Sequence, residues 1–415
     1  MKHRRVVLAV VFSSLAAVAA PAQDEPPAAE RRGIKEAARD LLKDDESSDG
    51  RGVHLGPFVP RVDVLSSGGG PAGVLHFWAP DIGGAAFDFH ASAAYSTYKY
   101  QYYDLQLGLL PHVDKRLPRI DTGSNGLFPL ADIEKTASAP GFNVYASARY
   151  RDYPREDFYG IGPDTLKSNR SDYRLQDGLY EGVVRFRVAR LSVLGRAGVL
   201  RTSILPGGDP NDPNVEATFF EAGAPGLVRA PDFTHVSAGA WLELRDVPGN
   251  PHRGASIGVA YSRFDERNGR AHDFNRLTLD AREYIRLGSN RHVVALRQTA
   301  SLDRPDEDST VPFYLRQTLG GGRLLRGYPS FRFRDNGLLY LASEYRFEIR
   351  PKVELALLYE AGKVFADAGG FDFQRLRGAY GAGIRLKSLR KVHLRLDVLR
   401  SAEGTRVQFK LGPSF

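Results

Sequence analysis

The chain has 415 residues, a formal charge of +8, no cysteine, 43 glycines and 11 % aromatic residues. An exported protein of this size without disulfides must gain its stability elsewhere, and a closed sheet in lipid, with every backbone group paired, is one such source. The modest positive charge is accompanied by no reading motif, so no nucleic-acid partner is expected.

In chain order, Lys2, His3, Arg4 and Arg5 precede an apolar run at 6–20, and Ala20-Pro21-Ala22 fits a small-x-small cleavage rule. Residues 1–22 read as a signal peptide, since the run is shorter than the ~20 residues a spanning helix needs. Residues 23–55 are polar and charged. Ile34, Ala37, Ala38, Leu41 and Leu42 give a short helical stripe, and Ser47-Ser48-Asp49-Gly50 ends it. This segment reads as a periplasmic tether; the alternative is a helix that plugs or caps a barrel from below.

Residues 56–415 read as strands, in alternating runs of roughly ten residues separated by Gly, Pro, Asn and Asp clusters. The runs fall near 56–66, 71–80, 84–96, 98–110, 142–153, 172–188, 190–202, 233–247, 253–264, 271–288 and 291–302. Five more follow at 339–349, 353–359, 376–386, 392–398 and 407–411. In these last five one face excludes charge: Val392, Leu394, Leu396 and Val398, for example, alternate with His393, Arg395 and Asp397. A lipid-facing Arg or Lys at the bilayer midplane costs ~2–4 kcal/mol, so this exclusion favours a membrane barrel over a soluble sandwich. In the tenth run Arg276, Asp280, Arg282 and Arg286 oppose Leu277, Leu279, Ile285 and Leu287. Glu283 breaks that pattern and is expected near a membrane boundary. The predicted fold is all-β: a transmembrane antiparallel barrel of about sixteen strands, with both ends periplasmic. Long surface loops then cover 154–171, 203–232, 265–270 and 303–336, while 111–141 becomes an unusually long periplasmic turn.

The segment at 320–348, GGGRLLRGYPSFRFRDNGLLYLASEYRFE, places Arg326-Gly327-Tyr328 in a basic, Gly-rich loop before an alternating strand. Phe158-Tyr159-Gly160-Ile161-Gly162 lies upstream, as does Leu244-Arg245-Asp246 followed by Pro251 and Gly254; Leu358-Tyr359-Glu360-Ala361-Gly362 lies downstream. In order and spacing these elements resemble the BamA/TamA superfamily of outer-membrane β-barrels, over residues 56–415. The chain resembles a member without the periplasmic POTRA modules, for which residues 23–55 leave no room. The resemblance implies sixteen strands, location in the bacterial outer membrane, and a surface loop folded into the lumen and held there by its arginine. Here that arginine is Arg326, with Gly327 and Tyr328.

Glu360 falls on the lumen-facing parity of its strand and resembles the acidic position of the family's strand motif. A guanidinium entering the lumen needs an anion, and a carboxylate accepts two parallel hydrogen bonds from it. Arg326–Glu360 is therefore the expected anchor, with Glu344, Glu348, Asp397 and Arg385 as further lumen partners. Gly320, Gly321, Gly322 and Gly327 are expected to permit positive φ in the inward fold. In the alternative reading Arg323, Arg326, Arg332 and Arg334 form a solvated basic loop facing lipopolysaccharide. At the C-terminus Val407, Phe409, Leu411 and Phe415 share one parity and resemble the signal that outer-membrane proteins present to the assembly machinery; Pro413 departs from it.

Enzyme chemistry, metals and cofactors are not expected. The ten histidines show no metal-ligand spacing, no G-x-S-x-G elbow occurs, and Gly320-Gly321-Gly322 lacks the Lys-Ser/Thr of a phosphate loop. Ser92 beside His90 is the nearest Ser/His pair of one parity. The resemblance implies movement or insertion of a protein or lipid client, through a seam between first and last strands and with a periplasmic partner. A passive or gated pore, or a surface structural or adhesion barrel, are the alternatives. The surroundings expected are outer-membrane lipid and lipopolysaccharide.

Overall fold

A computed structural model describes residues 57–66, 68–84, 87–111, 130, 134, 141–388 and 391–412. The signal peptide, the 23–55 segment and Phe415 lie outside the described residues. The strands are β1 Phe58–Val64, β2 Pro71–Ala79, β3 Asp88–Ser96, β4 Gln101–Leu109, β5 Gly141–Phe158, β6 Ser171–Val188, β7 Leu191–Pro206, β8 Phe233–Glu243 and β9 Gly254–Glu266. They continue as β10 Phe274–Arg286, β11 His292–Pro305, β12 Gln317–Leu319, β13 Phe333–Asp335, β14 Gly337–Arg350, β15 Val353–Phe365, β16 Arg377–Lys387, β17 Val392–Ser401 and β18 Gly404–Leu411. Sixteen form one antiparallel sheet in chain order, each paired with its neighbour; β11 pairs directly with β14, and β12 and β13 form a separate small hairpin.

Alternation sets the two faces. On β10, Arg276, Asp280 and Arg282 are buried inward while Leu277, Leu279 and Ile285 are exposed outward. Glu283 is exposed outward near the periplasmic end, opposite Ala255 at the start of β9. No helix among the described residues is long and apolar enough to cross a membrane. β5, β6 and β7 have 18, 18 and 16 residues, beyond the ~9–11 that span a bilayer, so they project above it.

A sheet of sixteen strands encloses more space than wall side chains fill, and loops occupy it. In the outer half, Phe158, Tyr173, Phe233, Phe264, Phe274, Phe313 and Tyr314 form one buried apolar cluster under the surface loops. From the periplasmic side, Leu130 packs with Trp241, Leu194 and Ala260 inside the wall. Glu134 accepts hydrogen bonds from Arg282, one of 2.8 Å, and lies 3.6 Å from Arg245. The stretch expected to be only a long periplasmic turn thus sends two side chains into the lumen.

Asp63 on β1 and Lys410 on β18 lie close enough for their charges to interact. No ladder joins these strands among the described residues.

Candidate functional site: the loop tip in the lumen

Between β11 and β14 the chain turns inward. Phe313–Leu315 form a single 3-10 turn, and β12 pairs with β13 through Gln317–Asp335, Thr318–Arg334 and Leu319–Phe333. Residues 320–332 are the tip of this hairpin. Gly320 and Gly321 turn it with φ of 113° and 97°, and Leu325 also takes a positive φ, of 56°. Gly322 and Gly327 do not, contrary to expectation. Gly327 is needed for close approach instead: a Cβ there would lie 2.5 Å from the Cβ of Ala379 on the wall.

Arg326 is 2 % exposed and reaches three strands. Its Nε donates to Glu360 Oε1 at 2.6 Å, and its backbone N–H donates to Glu360 Oε2 at 2.5 Å. Nη1 donates to Asp397 Oδ2 at 2.7 Å and Nη2 to Glu344 Oε1 at 3.3 Å. Arg385 bridges the same acids, donating to Glu344 at 2.7 Å and Asp397 at 3.1 Å. Arg395 stands 3.2 Å from Asp397, and the Tyr340 hydroxyl donates to Glu360 at 2.7 Å. Three guanidiniums face three carboxylates, so the cluster is near neutral, and burying it costs less than burying any one charge.

The surroundings fix the tip further. Ser401 donates to the Gly327 carbonyl at 2.8 Å, and Gln408 on β18 donates to the Arg326 carbonyl at 3.4 Å. Tyr328 meets Phe333 edge-on at 5.3 Å, so it stacks on its own loop. Gly362 leaves room for Leu319, whose Cδ2 would be 3.0 Å from an added Cβ.

Glu348 does not reach this cluster. It pairs with Lys387 at 2.7 Å, nearer the periplasmic end, where Lys387 also lies 3.3 Å from Glu354. Parity assigns a residue to the lumen face but leaves its height along the axis undetermined. Val407 and Phe409 are exposed on the outer face, while Phe415 and the Leu411 side chain lie outside the described residues.

Of the four loop arginines only Arg323 is exposed. Arg332 donates to Glu403 at 2.8 Å and to Thr165 Oγ1 at 2.9 Å, and its guanidinium lies over Tyr159 and Phe333. Arg334 donates to the Phe313 carbonyl at 2.9 Å and the Tyr173 hydroxyl at 3.2 Å. Its own carbonyl accepts the Gly162 N–H at 2.8 Å, so the Phe158–Gly162 element docks against the inserted hairpin. Gly160 and Gly162 both carry positive φ there. In the periplasmic turn before β9, burial alone would raise the Asp246 carboxyl. The N–H groups of His252, Val247 and Arg253 outweigh that and hold it below its usual range. Arg395, Tyr340 and Gln408 were missed from the sequence; inward parity on strands facing the loop was the available signal.

Ser92, His90, His76 and Asp104 form a second buried group on β2–β4. Ser92 Oγ is 3.2 Å from His90 Nε2 and 3.1 Å from His76 Nδ1, whereas His90 Nδ1 and Asp104 are 3.6 Å apart, beyond a hydrogen bond. The neighbouring backbone amides lie in the strand ladders, so they are not free to hold an oxyanion.

An inward-folded surface loop, anchored by a buried arginine within a sixteen-stranded antiparallel barrel, defines a class of outer-membrane β-barrel. Residues 226–415 match the model of the Omp85 superfamily domain. Among solved structures it is similar to BamA from Haemophilus ducreyi lacking POTRA domains 1-3, with a TM-score of 0.60 and 14 % identity, over 86 % of this chain and 68 % of that one. CdiB from Acinetobacter baumannii aligns with a TM-score of 0.45 and 12 % identity, over 83 % of this chain and 57 % of the other. CdiB from Escherichia coli aligns with a TM-score of 0.45 and 12 % identity, over 92 % and 67 %. No curated protein sequence matches.

Proposed function

We propose that this barrel inserts or translocates a protein client at the outer membrane, using the seam between β1 and β18. The observation that carries this reading is the match of residues 226–415 to the Omp85 superfamily domain, with β1 and β18 as the first and last strands of the sheet. A strand edge with unpaired N–H and C=O groups is a template for another strand, and adding a strand is a general way of recognising an extended chain. The C-terminal side of the seam is braced by the loop tip, through Gln408 and the Arg326 cluster. The filled lumen speaks against a standing pore. In this reading Val407 and Phe409 serve during the barrel's own assembly, and Arg326, Glu360, Glu344, Asp397 and Arg385 hold the loop.

The test is in-cell photocrosslinking from Val62 on β1 and Phe409 on β18, both exposed outward. Capture of the same client protein from both positions, and not from Leu279 on the far wall, is expected. Equal capture from all three positions, or capture of lipid alone, rejects the protein-client reading.

A further inference from the structure

On the lipid-facing side of β6 and β7 the wall carries a hollow of about 310 Å³ lined by Tyr180, Val199, Arg201 and Arg267. Its floor is shaped by a missing side chain. Gly178 points outward beside Arg201, and a Cβ there would lie 3.2 Å from the Tyr180 ring. Along β7 the outward positions Leu191, Val193, Gly195, Ala197 and Val199 are apolar or small, and Arg201 ends the series. The nine residues from 191 to 199 match the ~9–11 that a tilted strand uses to cross. Arg201 therefore stands at the outer boundary of the hydrocarbon, where a charge costs little. Tyr180, exposed and lipid-facing, sits just below it, as interfacial aromatics do.

Arg267 reaches the same hollow from the loop after β9, and its backbone N–H donates to the Asp232 carbonyl at 2.9 Å. Arg229 adds a third exposed guanidinium, donating to the Asn268 carbonyl at 3.3 Å. The neighbouring acids are engaged by backbone donors: Asp232 Oδ1 accepts the Thr202 N–H at 3.4 Å, and Glu266 Oε2 accepts the Ala271 N–H at 3.0 Å. Two guanidiniums above an apolar, aromatic floor at the membrane boundary leave a place for an anion that carries a hydrocarbon tail.

We propose that this hollow binds a membrane amphiphile with a phosphorylated headgroup in the outer leaflet. The phosphate lies between Arg201 and Arg267, and an acyl chain runs down over Val199 and Tyr180. Planar, always-charged guanidiniums suit phosphate oxygens, and each basic group near a membrane surface contributes about a fivefold gain in binding to an anionic lipid.

The test is native mass spectrometry of the full barrel in neutral detergent, titrated with diphosphorylated lipid A, its dephosphorylated form and inorganic phosphate. The phosphorylated lipid is expected to bind with a stoichiometry of one at low concentration. Arg201→Gln and Arg267→Gln each weaken it about fivefold, and together about twenty-five-fold. Tyr180→Ala weakens it without changing the preference for phosphate. Heat-modifiable migration on gels confirms that each variant remains a folded barrel, and Arg253→Gln, a periplasmic control, is expected to bind like the parent. Equal binding of the dephosphorylated lipid, equal binding of inorganic phosphate, or unchanged binding in the double variant overturns the proposal.

Discussion

At the scale of single residues, Arg326 connects the loop to β14, β15 and β17 through Glu344, Glu360 and Asp397. Removing one partner of a desolvated charge cluster costs about 3–5 kcal/mol, because the remaining charges stay buried and uncompensated. Arg326→Ala leaves three carboxylates facing Arg385 and Arg395. It is expected to raise conductance in planar bilayers and to make the 320–332 loop sensitive to added protease. Arg326→Lys should fall between, since an ammonium cannot fork across three acids. Parent-like conductance and proteolysis in the alanine variant would show that the arginine does not hold the loop. Glu360 could be read from the sequence because motif and alternation select it independently. Glu348 could not be separated from Glu344, since both share one parity and only register against β15 shows that they differ in height.

At the scale of elements, the sixteen wall strands were legible because lipid penalises every misplaced charge, and the alternation records that penalty. β12 and β13 were not, for strands of three residues have no period to detect. Nor was the inward course of the chain at 130 and 134, because Leu130 and Glu134 acquire meaning only beside Trp241 and Arg282. Gly258 is the signal in retrospect: a Cβ there would lie 2.4 Å from the Trp241 ring and 2.9 Å from Leu130. Glu134→Gln keeps the shape and removes the charge facing Arg282, which retains Asp280 at 2.7 Å. Glu134 is partly solvated, so the expected loss is only about 1 kcal/mol. It is read as a lower temperature for loss of heat-modifiable migration, with a rise in baseline conductance. An unchanged melting temperature and baseline would mean that the pair does not secure the segment.

At the scale of the whole molecule, the lumen is occupied from both ends, and among the described residues no ladder joins β1 to β18. Hydrogen exchange follows local opening, so the amides of β1, which among the described residues pairs with β2 alone, should exchange faster than those of β15–β17, whose strands are paired on both sides and tied by the Arg326 cluster. Measurement in detergent or nanodiscs by mass spectrometry checks this. Uniform protection around the barrel would mean that the seam is as firmly closed as the rest.

The loop tip has a mechanical consequence. The bonds of Arg326 run to β14, β15, β17 and, through its carbonyl, β18, all on one side of the seam. Those strands are riveted into a single stiff panel, while β1 lies on the far side of the seam and, among the described residues, pairs with β2 alone. Strain applied across the seam is therefore shared unequally. In the opening proposed above, the C-terminal panel would act as a door frame and the N-terminal hairpins as the leaf, with widening taken up by the leaf while the frame, with its loop, keeps its shape.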